Sequence, residues 1–283
     1  MERVKRVASR AAPVKLESGG ISLLRAGAGT GRPLVMLHGI GSNAQSFIPL
    51  MERFAGRRDV LAWDAPGYGT SAPLPEEWPR ADDYANALLQ LLQRLGLNEI
   101  DLLGHSLGAL IAGRFAAIFP DRVKKLVLAS PALGYATRPG APLAPPAAGR
   151  LEGFLSEGAE EFARSRAPRL VFKRDDVALV ASVTEAMSRV KLPGYRQASR
   201  MLSCADLLGD AASISSPTLV LVGAQDEITP PGKCRGMYDA FRAARGDLLH
   251  RFELVADAGH AVVQERPDEV AALVVEHLSD GEA

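Results

Sequence analysis

The sequence predicts an α/β fold: a doubly wound, mostly parallel sheet into which a helical cap is inserted. Three observations predict it. As far as Ser130, short apolar runs that suit buried strands alternate with stretches of helical periodicity; residues 133–209 then show helical patterns without strands; a strand-type run resumes at 217–222. Parallel strands covered by helices on both faces are apolar along their whole length, as Val60-Leu61-Ala62-Trp63 is. The expected core is therefore 1–132 with 210–283, and the expected cap is 133–209.

Residues 1–13 are basic and Ala-rich without a period, which predicts a frayed tail. Structure should begin near Lys15. Residues 21–25 suit one strand of a hairpin, and 33–37 form a compact strand ending in His38-Gly39-Ile40-Gly41-Ser42. A short helix follows over 47–54, and the strand 60–63 ends in Asp64-Ala65-Pro66-Gly67-Tyr68-Gly69. Over 82–95, Tyr84, Leu88, Leu91, Leu92 and Leu95 mark one helix face, and Gly96 supplies a stop. Ile100, Leu102 and Leu103 read as a buried strand; Leu107, Leu110, Ile111 and Phe115 recur at helical spacing; another strand spans 123–128.

Pro139, Pro142, Pro145 and Pro146 exclude regular helix or central strand from 134–149 and predict a surface connection. The segments 151–163, 175–190 and 195–208 read as cap helices separated by Pro168 and by Pro193-Gly194. Beyond the strand at 217–222, a helix over 232–244, a last strand near 252–255 and a final helix over 267–278 complete the chain.

Lys plus Arg and Asp plus Glu both number 33, so no global field attracts nucleic acid or an anionic membrane, and a small-molecule partner is favoured. Cys204 and Cys234 are too few and too far apart for a disulfide framework or a Cys-based metal site. No apolar segment has signal-peptide length or approaches the roughly 20 residues of a membrane span, so a cytoplasmic protein, a monomer or homodimer, is expected. There is no metal-ligand spacing and no phosphate-cradling glycine loop, hence no expected metal or cofactor.

The chemistry centres on Gly104-His105-Ser106-Leu107-Gly108, a Gly-x-Ser-x-Gly pattern between a strand and a helix. Glycines on either side of a serine at a strained turn let neighbouring backbone approach, and the following helix start directs amides toward whatever the serine attacks. Asp226, in Gly223-Ala224-Gln225-Asp226, and His260, in Asp257-Ala258-Gly259-His260, also follow strands. Catalytic groups of open α/β sheets gather at such strand ends.

The order serine, acid, histidine, together with His38-Gly39-Ile40-Gly41 and Asp64-Ala65-Pro66-Gly67-Tyr68-Gly69, resembles the α/β-hydrolase superfamily over nearly the whole chain. The resemblance implies that His260 takes the Ser106 proton, that Asp226 orients the imidazole, and that the amides of Ile40 and Leu107 form an oxyanion hole. Glu227 and Asp257 are the alternative acids; position directly after the strand favours Asp226. His38 and His105 read as turn-shaping residues, His250 and His277 as structural ones, and Asp64 as a turn-stabilising carboxylate.

Within the superfamily, the elbow, Asp226-Glu227-Ile228-Thr229-Pro230-Pro231 and His260-Ala261-Val262-Val263-Gln264 are similar to 3-oxoadipate enol-lactonases. Ring-fission C-C hydrolases are the neighbouring group. Those more often carry Asn before the serine and Trp soon after the histidine, where this chain has His105 and Val262-Val263, so ester or lactone cleavage is the expected reaction. A ligand-binding protein on the same fold is the alternative from another class, but it has no need of all three residues. The cap, which matches neither group, is expected to wall the pocket; Phe154, Leu155, Met201 and Leu202 are the candidate wall residues, with plain cap core as the alternative for each. A carboxylated substrate would also require an inward arginine, for which Arg200 is chosen from Arg164, Arg166, Arg169, Lys173, Arg174, Arg189, Arg196 and Arg200.

Overall fold

A computed structural model describes residues 12–27, 29 and 31–279; most of the basic tail predicted at 1–13 lies outside the described residues. In chain order the strands and helices are β1 (Val14–Ser18), β2 (Ile21–Ala26), β3 (Leu34–Leu37), α1 (Ile48–Phe54), β4 (Val60–Trp63), α2 (Ala81–Arg94), β5 (Ile100–His105), α3 (Leu107–Ile118) and β6 (Val123–Ala129). Then come α4 (Pro145–Arg166), α5 (Val177–Ser188), α6 (Leu192–Cys204), α7 (Leu207–Asp210), β7 (Thr218–Gly223), α8 (Pro231–Ala244), β8 (Arg251–Val255), α9 (Val262–Glu265) and α10 (Pro267–Ser279).

The strands form one sheet in the order β1-β2-β4-β3-β5-β6-β7-β8. β2 is antiparallel to both its neighbours, and the remaining pairs from β4 to β8 are parallel. The β1–β2 hairpin closes through Gly19 and Gly20, both at positive φ (59° and 81°), where a side chain would be strained. From β3 the chain winds outward to β4, then returns to the other side of β3 as β5. Beyond the carboxyl ends of β3 and β5 the winding reverses, and a doubly wound sheet opens a crevice there.

Alternate strand residues feed two cores. Val35, Leu37, Leu102, Leu126, Leu128 and Val220 join the face covered by α2, α3 and α8, while Leu34, Met36, Leu103, Val127, Leu219 and Leu221 face α1 and α10. The predicted face of α2 is buried through Tyr84, Leu88, Leu91 and Leu92. Its end is a Schellman turn: Leu97 N–H donates to Leu92 O (2.9 Å), Gly96 N–H donates to Gln93 O (3.1 Å), and Gly96 takes φ 68°.

Between β6 and β7 the chain contributes no strand to the sheet and forms α4 to α7. Here one expectation is corrected. Residues 145–149 are helical, because Pro145 and Pro146 occupy the first turn of α4, where proline's missing N–H has no intrahelical acceptor to lose. Gly158 (φ 74°, ψ 165°) breaks α4 with a kink. Among the described residues no helix is long and apolar enough to cross a membrane, and no group of His, Cys, Asp and Glu gathers that could hold a metal ion.

Candidate active site

Ser106 stands between β5 and α3 at φ 54°, ψ −114°, a backbone region that L-residues rarely enter. Neighbouring glycines make this turn possible. A Cβ at Gly104 would run into the Gly108 carbonyl, and one at Gly108 into the Leu37 carbonyl at the end of β3. The serine backbone is pinned by its own N–H, which donates to Ala129 O (2.9 Å), and by its carbonyl, which accepts from Ala109 N–H (3.0 Å) and Ala132 N–H (3.2 Å). These bonds hold the strained conformation and present Oγ beyond the sheet.

His260 reaches this hydroxyl from the loop after β8. Its Nε2 is 2.9 Å from Ser106 Oγ and its Nδ1 is 2.9 Å from Asp226 Oδ2. Asp226 follows β7 and its side chain is fully buried. Its Oδ1 accepts from Ile228 N–H (2.8 Å) and Thr229 N–H (2.9 Å), and Oδ2 also accepts from Thr229 Oγ–H (2.8 Å). Burial raises the carboxyl pKa, but the charge of His260 and the hydrogen bonds from His260 and Thr229 outweigh it and hold the group at about 2. An ionised carboxylate can only accept. Nδ1 must therefore carry the imidazole proton, which leaves the Nε2 lone pair for the serine O–H. The alternative acids point elsewhere: Glu227 pairs with Arg174, and Asp257 is exposed beside Arg266.

The loop after β3 closes the other side. Gly39 packs so near that a Cβ there would lie 3.1 Å from Ser106 Cβ. Tyr68 O–H donates to Ile40 O (2.9 Å). His38 Nε2 accepts the Ala65 N–H (3.0 Å), so its Nδ1–H donates to Gly39 O (2.8 Å); burial lowers its pKa, and the neutral ring serves as a spacer between two loops. Asp64 accepts from Ala44 N–H (2.9 Å) and Ser22 Oγ–H (2.6 Å), a structural use. The Ile40 amide makes no backbone hydrogen bond among the described residues, and the Leu107 amide opens α3, where no intrahelical acceptor exists. Two donors are thus available beside Ser106.

His105, one residue before the serine, donates from Nε2 to the His260 carbonyl (2.7 Å), and burial together with the nearby His260 pushes its pKa down to about 3. It is a neutral strut under the histidine loop.

Ser106 and His260 open into a cavity of about 430 Å³ between the sheet's carboxyl edge and the helices from α4 to α6. Its helical wall includes Arg150, Phe162, Arg166, Met187 and Tyr195. The candidate wall residues from the sequence lie elsewhere. Phe154 sits behind the wall, stacked on Tyr195 (4.6 Å between ring centroids) and edge-on to Phe162 (5.4 Å). Met201 and Leu202 are buried in the core, and Leu155 is 52% exposed. Arg200 is corrected outright: its guanidinium donates to the backbone and side chain of Glu77 and lies 4.8 Å over the Trp78 ring, away from the cavity.

A periodic signal for the true wall exists in the sequence. With α4 starting at Pro145, residues Pro146, Gly149 and Arg150 share one helix face (i, i+3, i+4). Past the kink, Phe162, Arg166 and Arg169 recur at i, i+4, i+7.

Comparison with known proteins agrees with this architecture. A model of the "Alpha/beta hydrolase family" matches residues 34–273. The chain is similar to a pimeloyl-acyl-carrier-protein methyl ester esterase of Chromobacterium violaceum, at 31% identity over 256 residues covering 88% of this chain and 95% of the relative. It is also similar to an (E)-2-((N-methylformamido)methylene)succinate hydrolase of Acinetobacter baylyi, at 30% identity over 202 residues covering 70% and 74%. Among solved structures, an enol-lactonase from Burkholderia xenovorans LB400 superposes with a TM-score of 0.81 over 94% of this chain and 100% of that one, at 22% identity, a likeness of fold.

Proposed function

Because the chain belongs to the alpha/beta hydrolase family, we propose that it is a serine hydrolase that cleaves an ester or lactone of a small organic acid through an acyl-enzyme on Ser106. The observation that carries this reading is the continuous relay of Ser106 Oγ, His260 and Asp226, joined by two hydrogen bonds of 2.9 Å. Serine is a weak nucleophile at neutral pH until an adjacent base takes its proton. In the proposed reaction Oγ attacks the substrate carbonyl carbon as its proton passes to His260 Nε2, and Asp226 stabilises the imidazolium that forms.

Negative charge on the former carbonyl oxygen meets the amides of Ile40 and Leu107. Such a preorganised donor is typically worth about 10²- to 10³-fold in turnover. Collapse of the tetrahedral intermediate breaks the bond to the leaving oxygen, which takes the proton from His260. Water, deprotonated by the same nitrogen, then attacks the acyl-enzyme and releases the acid. A cavity of about 430 Å³ suits a small-molecule substrate. The helical segment 133–209 serves in this reading as the cap that walls it.

Intact-mass detection of a fluorophosphonate adduct, together with turnover of 4-nitrophenyl butyrate and of an enol-lactone, tests the proposal. Ser106→Ala should abolish the adduct. Ser106→Ala and His260→Ala should each lower turnover by on the order of 10⁴-fold or more, and the double variant should be scarcely worse, because both residues act as one unit. Ester turnover that survives Ser106→Ala would refute the acyl-enzyme, and a wild-type protein inert toward every substrate would favour the ligand-binding alternative.

A further inference from the structure

The helical wall of the cavity carries charge without a counterion. Arg150, Arg166 and Arg169 all line it, and none forms an ion pair among the described residues. The contrast with neighbouring cations is sharp: Arg164, Arg174, Arg189 and Arg200 are matched by Glu161, Glu227, Glu185 and Glu77. Among the described residues no Asp or Glu lines the cavity. His105, the neighbour of Ser106 in the wall, is held neutral, so the positive field comes from the arginines.

Arg166 is also oriented. Its guanidinium lies 4.4 Å over the Phe162 ring, and the buried Nε of this half-buried residue has no acceptor among the described residues. A cation stacked on an aromatic face presents its edge to the space beside the ring. Tyr195, stacked on Phe154, adds a phenol to the same wall. Burial pushes that phenol up to about 12, with the charges of Arg150 and Arg166 pulling against it, so it stays protonated as a donor close to both guanidinium groups. Withdrawing a guanidinium from water without an acceptor is unfavourable, and an arriving carboxylate relieves it with charge-assisted, frequently bidentate hydrogen bonds.

We propose that Arg150, Arg166 and Tyr195 form a carboxylate-binding subsite, with Arg169 at the more exposed rim steering anions inward, so that the preferred substrates carry a free carboxylate in addition to the scissile ester or lactone. This rests on the hydrolase reading of Ser106. It assigns the cationic part of the helical wall, which the chemistry at Ser106 does not use.

The test is a ratio: kcat/KM for 4-nitrophenyl hemisuccinate over that for 4-nitrophenyl butyrate, each measured on the same preparation so that any loss of folded protein cancels. Wild type should prefer the hemisuccinate. Arg166→Gln and Arg150→Gln should each lower the ratio about 10- to 100-fold, the value of a hydrogen bond to a charged group, and Arg166→Lys should retain more of it than Arg166→Gln. An unchanged ratio in both Gln variants overturns the subsite and leaves the hydrolase reading standing. Should wild type cleave neither ester, the hydrolase reading fails, and calorimetry with succinate decides the subsite by itself. Binding weakened by Arg166→Gln and insensitive to equimolar inorganic phosphate supports a carboxylate site; binding absent from wild type, unaltered in the variant, or displaced by phosphate overturns it.

Discussion

Gly259 and Glu265 are joined by a 2.8 Å hydrogen bond, from the amide that precedes His260 to a carboxylate oxygen at the end of α9. The other oxygen of Glu265 accepts the Phe172 amide at 2.8 Å, and Ala261 N–H donates to Leu170 O at 2.8 Å. The loop that carries His260 is thereby tied on both flanks to residues 170–172 of the helical insertion. A single carboxylate links Phe172, two residues beyond the cavity-lining Leu170, to the amide that precedes His260.

Glu265→Gln keeps the shape but faces two amide donors with only one oxygen. One partly buried amide then loses its acceptor, at about 1–3 kcal/mol. The variant should unfold at lower urea concentration, and its kcat for 4-nitrophenyl butyrate should fall, since the loop that carries His260 is held less firmly against the helical insertion. Equal melting midpoints and an unaltered kcat would sink this role.

Asp226 makes stability depend on acid pH. Its folded pKa of about 2 lies below the ordinary carboxylate value, so the ionised group stabilises the fold, fully above the unfolded pKa and progressively less as pH falls toward the folded one. The contribution is roughly 1–3 kcal/mol, present at neutral pH and lost between about pH 4 and pH 2. Urea melts of wild type and Asp226→Asn across this range should converge as the pH drops. Asp257→Asn, at an exposed carboxylate, should track wild type throughout; a larger loss of turnover in Asp257→Asn than in Asp226→Asn would reassign the acid.

Gly108 and Gly236 should respond oppositely to alanine. A Cβ at Gly108 meets the Leu37 carbonyl and lies 2.8 Å from His38 O, backbone atoms that cannot rotate aside, so the substitution should cost at least about 1–3 kcal/mol and displace the elbow. Gly236, exposed on α8 with open space around it, should gain about 0.5–1 kcal/mol from helix propensity. Chemical denaturation of both variants checks the pair, and a stable Gly108→Ala would show that β3 and α3 can separate.

Local sequence determined the strand-and-helix order, the sharp turn at Ser106 and the placement of Asp226 and His260 just past strand ends. Those features rest on short-range physics: apolar runs that must be buried on both faces, glycines where backbones touch, and turn residues at fixed offsets. Pro145 and Pro146 misled because proline signals both the interior break of a helix and its first turn, and only the hydrogen bonds of the following residues distinguish the two.

Only tertiary structure decided which of three carboxylates near the strand ends meets His260, and which arginines face the cavity. Arg200 lies beside apolar neighbours in sequence, yet Glu77 and Trp78, distant along the chain, capture its guanidinium, while Arg150 and Arg166 form no ion pair among the described residues. A long cationic side chain takes whichever partner the folded chain brings within a few ångströms. The spacing of residues along a strand or helix sets its faces; the partner opposite each face is set by how the elements dock.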